Sequence, residues 1–278
     1  MRMKYSVSLW NYRQYANVPS LERIIASLRE QDYGIEIWPS FGDERDLLDE
    51  VGRKRVRDAL EGMTCSLHAT NENTFDGHRK QIEAAADFGA RVIVMHSQAF
   101  LTRDRADFEV QQRGGGASSL DVQLGRKPSD FDVQLARKTV VYAAEHGIRI
   151  ALENGIDTPP FPILVNAIEQ VEGLCICLDT GHLYRLWDKD PVRDPMRKIL
   201  DALKGRIVHL HLHDSDSETI DDDHFPLGVG KILDKDWELL ATTLEEIDFQ
   251  GMAVFEIAPT SPLPIADLGR AFLQGKGF

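Results

Sequence analysis

Short β-rich runs and amphipathic stretches alternate along this chain without a break in the pattern. The β-rich runs are Lys4–Trp10, Gly34–Trp38, Met63–His68, Arg91–His96, Gly147–Glu153, Leu174–Asp179, Arg206–Leu212 and Gly251–Ile257. The helix-like stretches are Leu21–Gln31, Glu44–Glu61, Asp76–Phe88, Phe131–Glu145, Ile163–Val171, Pro195–Leu203, Trp237–Glu246 and Ile265–Gln274. Alternation of this kind implies parallel strands joined by crossover helices, and eight such units close a barrel. The 278 residues suit a single α/β domain, a (β/α)8 barrel of roughly 250 residues. An open doubly wound sheet is the alternative arrangement of the same units.

Side-chain parity along the strands favours closure. Ile148, Ile150 and Leu152 alternate with Arg149, Ala151 and Glu153, and Leu174, Ile176 and Leu178 alternate with Cys175, Cys177 and Asp179. In Arg206–Leu212, Val208, Leu210 and Leu212 fall on one side, and Ile207, His209 and His211 on the other. One face is aliphatic, as helices covering a sheet require, and the other is small or polar, as a barrel lumen requires. The expectation is one domain over residues 1–278. It carries a flexible insertion at 99–129 after the fourth strand, which contains Gly114–Gly116 and several arginines. Such a loop is either a lid or a surface loop without a role.

Composition narrows the function. Lysine and arginine total 32 against 45 acidic residues, a net charge of −13, which disfavours a broad phosphate-binding surface. No apolar run approaches the ~18 residues of a membrane span. The start, MRMKYSVSLW, carries no apolar signal-peptide core. Cys65, Cys175 and Cys177 are odd in number and sit in apolar runs, so they read as buried reduced thiols of a cytoplasmic protein.

Acids and imidazoles collect at the strand ends. Glu36 ends the second run, His68 the third, His96 the fourth, Glu153 the fifth and Asp179 the sixth, with His182 three residues on. His211 lies in the seventh run and Glu256 ends the eighth. Any one of these is an ordinary cap or core residue, but barrel active sites are built at the C-terminal rim. Several carboxylates converging there repel each other. A divalent cation removes that conflict, and a carboxylate–imidazole set suits manganese, zinc or magnesium.

The motifs ALEN (Ala151–Asn154), LDTGH (Leu178–His182), HLHLHD (His209–Asp214), DDHFPLGVG (Asp222–Gly230) and FEI (Phe255–Ile257) resemble those of the xylose isomerase-like TIM barrels. That superfamily includes sugar phosphate isomerases/epimerases, ketose 3-epimerases and endonuclease IV. The resemblance implies one metal held by Glu153, Asp179, His211 and Glu256, with His211 preferred over His209 and His213 as the second histidine of HLH. Manganese is the first expectation; zinc, magnesium or cobalt are alternatives. It further implies Glu153 and Glu256 as the catalytic acid–base pair. They would act on either side of an open-chain sugar, moving a proton through a metal-stabilised enediolate. Glu36, His68, His96, His182 and His224 are the candidates for holding substrate hydroxyls, with His224 open to a second-metal role.

Two other outcomes stay open. A lyase or dehydratase on a keto-sugar or inosose would use the same site. A multi-zinc phosphodiesterase on abasic DNA would use the endonuclease IV ligand set: His68, His96, Glu153, Asp179, His182, His211, Asp222, His224 and Glu256. Against the latter, the sequence reads ENGIDTPP after the fifth-strand glutamate and GHLYRLWDKD after the sixth-strand motif. The partner expected is a small-molecule sugar, with no nucleic acid and no membrane; a homo-oligomer is allowed. Trp10, Trp38, Phe41 and Trp187 are candidates for an apolar wall beside the sugar, or for plain packing.

Overall fold

The computed structural model describes residues 3–12, 18–41, 47–101, 131–154, 160–184, 194–215, 224–257 and 262–278. Its strands are β1 Lys4–Ser8, β2 Gly34–Ile37, β3 Cys65–His68, β4 Val92–Met95, β5 Arg149–Glu153, β6 Cys175–Asp179, β7 Ile207–Leu212 and β8 Met252–Phe255. They pair in parallel and in chain order, and β8 returns to β1, so the sheet closes into a barrel. The helices between and after them are α1 Leu21–Glu30, α2 Glu50–Leu60, α3 Phe75–Phe88, α4 Val133–Glu145, α5 Pro160–Gln170, α6 Pro195–Leu203, α7 Asp234–Glu246 and α8 Pro262–Gly275. The (β/α)8 barrel expected from the alternation is therefore what the chain forms. Most of the 99–129 insertion lies outside the described residues, as does Trp187.

Helix starts follow local capping chemistry. Ser20, Asp49, Thr74 and Asp132 each accept a hydrogen bond from the backbone N–H three residues on, and a cap of this type contributes about 1 kcal/mol. Asp49 explains why α2 begins at Glu50 and not at Glu44: its carboxylate accepts from Gly52 N at 2.6 Å.

The barrel has two apolar layers. The larger lies between strands and helices and contains Val7, Ile35, Leu67, Ile93, Ile150, Leu178, Leu210 and Phe255. A small second cluster, Val92, Val94, Ala151 and Cys177 with Val208 against it, fills part of the lumen. Here the parity expected for the seventh strand fails. Ile176 pairs with Ile207 but Cys177 pairs with His209, so Val208 is an extra residue at a bulge. Ile207 joins the helix-facing core and Val208 turns to the lumen cluster, while His209 and His211 keep their expected side.

Among the described residues no helix is long and apolar enough to cross a membrane. Cys65, Cys175 and Cys177 are all free; Cys65 and Cys177 are buried, but Cys175 is partly exposed, contrary to the expectation of three buried thiols. Burial pushes the Cys65 thiol up to about 12. We therefore expect iodoacetamide at pH 8 to leave Cys65 unlabelled in the folded protein and to label it after denaturation, by mass spectrometry. Native labelling of Cys65 would contradict this packing.

Candidate metal centre

All nine sequence-designated residues converge on the C-terminal half of the lumen. Glu36, Asp179 and His211 are 0% exposed, Glu153 is 1% and Glu256 4% exposed. The side chains of His96 and His224 are 27% and 14% exposed and form the more open side.

His211 is the hub. Its Nδ1 lies 3.4 Å from Glu256 Oε2, 3.7 Å from Glu153 Oε2 and 3.8 Å from Asp179 Oδ2. Donor atoms around a tetrahedral ion with bonds of 2.0–2.2 Å are about 3.4 Å apart. His211 Nδ1 and Asp179 Oδ2 are buried and make no hydrogen bond, an arrangement that costs free energy unless something else satisfies them. The donor set, its spacing and these two orphaned atoms fit a divalent cation.

Each carboxylate is held in a different way. Asp179 Oδ1 accepts the His182 backbone N–H at 2.8 Å and faces His213 Nε2 at 2.8 Å, which leaves Oδ2 3.4 Å from His182 Nδ1 and 3.8 Å from His211 Nδ1. Glu153 Oε2 is 3.2 Å from His68 Nε2 and 3.0 Å from His96 Nε2, and its Oε1 is 3.1 Å from His182 Nδ1. Glu256 Oε1 accepts from Ser8 Oγ at 3.0 Å, and that hydroxyl accepts from Trp38 Nε1 at 2.9 Å. The Trp38 ring also stacks on His68, with centroids 4.0 Å apart. Glu36 lies beneath His211 and accepts from Ser66 Oγ at 3.1 Å.

Among the described residues, the salt-bridge partners of these carboxylates are all imidazoles. Burial pushes Glu153 up, but His96, His211 and the hydrogen bond from His182 outweigh it and hold the carboxyl well below its usual range. Glu256 goes the other way: burial raises it, the negative charges of Glu36 and Glu153 add to that, and His211 only partly compensates.

Several residues that the motifs contained without an assigned role turn out to build the site. Asn154 donates to Asp179 O and accepts from Asp179 N, both at 2.8 Å, so it locks the ends of β5 and β6 together. Thr180 Oγ1 donates to His213 O at 2.7 Å and fastens β6 to the end of β7. Gly181 leaves the space that the His213 ring fills, because a Cβ there would overlap the imidazole. Asp214 accepts from Ser215 N, Gly228 N and Ile232 N at 2.9, 3.0 and 3.1 Å. These bonds hold down the loop that presents His224, whose ring stacks on His213 at 4.0 Å. Ser8 on β1 belongs to no motif, and only the closed barrel brings it to Glu256.

Further donor groups adjoin the hub. His182, His213 and His224 offer nitrogens within 4.8 Å of one another, and so do His68, Glu153 and His211 as a donor set. Asp222 lies outside the described residues. Of the candidate wall, Trp10 packs against His224 at 4.4 Å and Trp38 lies over His68, whereas Phe41 is buried in the helix-facing core.

The family model described as xylose isomerase-like TIM barrel matches residues 29–275. The chain belongs to that family. No curated protein matches it. Among solved structures, a D-tagatose 3-epimerase-like protein is 20% identical with a TM-score of 0.67, over 99% of this chain and 97% of that one. D-allulose 3-epimerase from Methylomonas sp. is 16% identical with a TM-score of 0.64, over 99% and 98%. The IOLI protein with a bound zinc atom is 14% identical with a TM-score of 0.70, over 99% and 98%. These neighbours share the fold of this family member.

Gly181→Ala should lower the unfolding free energy by about 1–3 kcal/mol, the usual cost of overpacking a filled interior. A denaturant midpoint equal to that of the parent would show that His213 has room to move.

Proposed function

We propose that this chain is a divalent-metal-dependent isomerase or epimerase of open-chain sugars. The observation that carries this reading is that Glu153, from β5, and Glu256, next to β8, approach the same His211 Nδ1, at 3.7 and 3.4 Å. Glu153, Asp179, His211 and Glu256 would hold the ion, manganese first and zinc, magnesium or cobalt as alternatives. A dication bound there polarises a carbonyl and acidifies the hydrogen on the neighbouring carbon.

The remaining work belongs to the chain. Glu153 and Glu256 come from the ends of strands three apart in the barrel, so they would face opposite sides of a substrate, one removing the proton and the other returning it. Return to the opposite face of the same carbon inverts it, and return to the adjacent carbon isomerises the sugar. Ser8 holds Glu256 by one oxygen and leaves the other turned inward. His68, His96, His182 and His224 supply hydrogen-bonding groups for hydroxyls, and the rings of Trp10 and Trp38 border them. Deep burial excludes water, which strengthens each of these interactions.

Two measurements test the proposal. Ketoses incubated with the manganese-loaded protein in heavy water should gain deuterium at the carbon beside the carbonyl, and absence of exchange across ketopentoses and ketohexoses would sink the reading. Glu256→Gln should lower kcat by about 10²–10⁴-fold, the usual contribution of a positioned acid–base group, with the fold intact by circular dichroism. Undiminished turnover would remove Glu256 from that role.

A second reading, a multi-zinc phosphodiesterase on abasic DNA, is favoured by the His182–His213–His224 group beside the hub. Metal analysis separates the two: about one ion per chain fits the isomerase, and about three fit the phosphodiesterase. A lyase on the same site would release water and an unsaturated keto product instead of a stereoisomer.

A further inference from the structure

Glu36 ends a strand on the lumen side, yet its surroundings differ from those of the other rim residues. It is 0% exposed. His211 Nε2 lies 3.2 Å from its Oε1 and 3.3 Å from its Oε2, and His209 Nε2 lies 3.1 Å from Oε2. Ser66 Oγ donates to the same Oε2 at 3.1 Å. One oxygen of the carboxylate, Oε2, is thus taken up by groups of the chain itself, on the side of the His211 ring opposite the other three acids, while Oε1 lies near the same His211 nitrogen without a hydrogen bond.

An imidazole that is neutral carries its proton on one nitrogen only. Left alone among Glu153, Asp179 and Glu256, His211 would place that proton on Nδ1, where three carboxylate oxygens wait within 3.4–3.8 Å. Nδ1 would then be a donor and could not bind a cation. A buried carboxylate at Nε2 draws the proton to the far side and keeps the Nδ1 lone pair free, the arrangement in which a carboxylate fixes the tautomer of a metal-binding histidine. His209 presents its own Nε2 to the same oxygen, so the two histidines of β7 are fixed together.

We propose that Glu36 is a positioning residue of the metal centre and not a substrate contact: it holds His211 with the proton on Nε2 and the ring turned so that Nδ1 faces Glu153, Asp179 and Glu256. This rests on the metal-dependent reading of the same site. Glu36→Gln keeps the shape but replaces the charged acceptor by an amide that can also donate, so the preference for the Nε2 proton is lost.

The test uses the full chain, stripped of metal with a chelator and titrated with Co2+ followed by its visible absorption. Wild type should bind. Glu36→Gln should bind about 10–100-fold more weakly, the loss expected when such an outer carboxylate is removed, while its circular dichroism stays that of wild type. Ser66→Ala, which removes a hydrogen bond to Glu36 but leaves the carboxylate, should bind as wild type does. Glu36→Gln binding as tightly as wild type would overturn the proposal with the metal reading intact, whereas a wild type that binds neither Co2+ nor Zn2+ would overturn both. A second measurement needs no substitution at Glu36. Nitrogen-15 NMR of the Zn2+-loaded wild type, with His211 assigned by comparison with His211→Asn, should find the proton on Nε2 and the metal on Nδ1. The reverse assignment would overturn the proposal.

Discussion

Four carboxylates, Glu36, Glu153, Asp179 and Glu256, are buried in one barrel lumen with imidazoles as their partners. Burial penalises every charge they carry, and each also opposes its neighbours. Imidazoles relieve this only in part: they hold Glu153 well below the usual carboxylate range, but Glu256 stays above it. The orphaned Asp179 Oδ2 and His211 Nδ1 mark where the relief is incomplete. A dication at that point, as proposed, would supply the missing charge.

The scaffold holds these groups in place by rigidity. Backbone ladders set the lumen-facing Cα positions of adjacent strands, so Asp179 stands beside His211 by register alone. Side chains that touch no ligand then fix the remaining freedom: Asn154 ties β5 to β6, Thr180 ties β6 to β7, Ser8 ties β1 to Glu256, and Asp214 anchors the His224 loop. Below the site, Val94, Ala151 and Cys177 give an apolar floor.

The histidines separate into two kinds by what their nitrogens meet. His78, on α3, is buried too, but its Nδ1 faces Thr139 Oγ1 at 2.8 Å and its Nε2 faces Glu72 O at 2.7 Å. It fastens α3 to α4 and to the segment before α3. His68, His96, His182 and His211 instead meet carboxylates at strand ends. Burial does not tell the two kinds apart; the charge of the partner does.

Much of this was legible in the residues. Period-two alternation and helical amphipathicity depend on local geometry, so they marked the strands, their order and the barrel, and strand ends marked Glu153, Asp179 and Glu256. Local pattern misled at Val208, because a bulge reverses the parity and is set by pairing with β6. Position at a strand end also does not say how deep a side chain sits or whether a ring lies above it, so the contacts of Glu36 with His209 and His211 were not legible in the pattern. Ser8 and Ser66 were unremarkable until the barrel closed around them. By itself, then, the sequence determined the architecture and the chemical kind of each rim residue, because both follow from short-range periodicity and side-chain type. Only the tertiary structure decided which acid meets which imidazole nitrogen, because those meetings join residues up to 248 positions apart and depend on register and depth across a closed sheet.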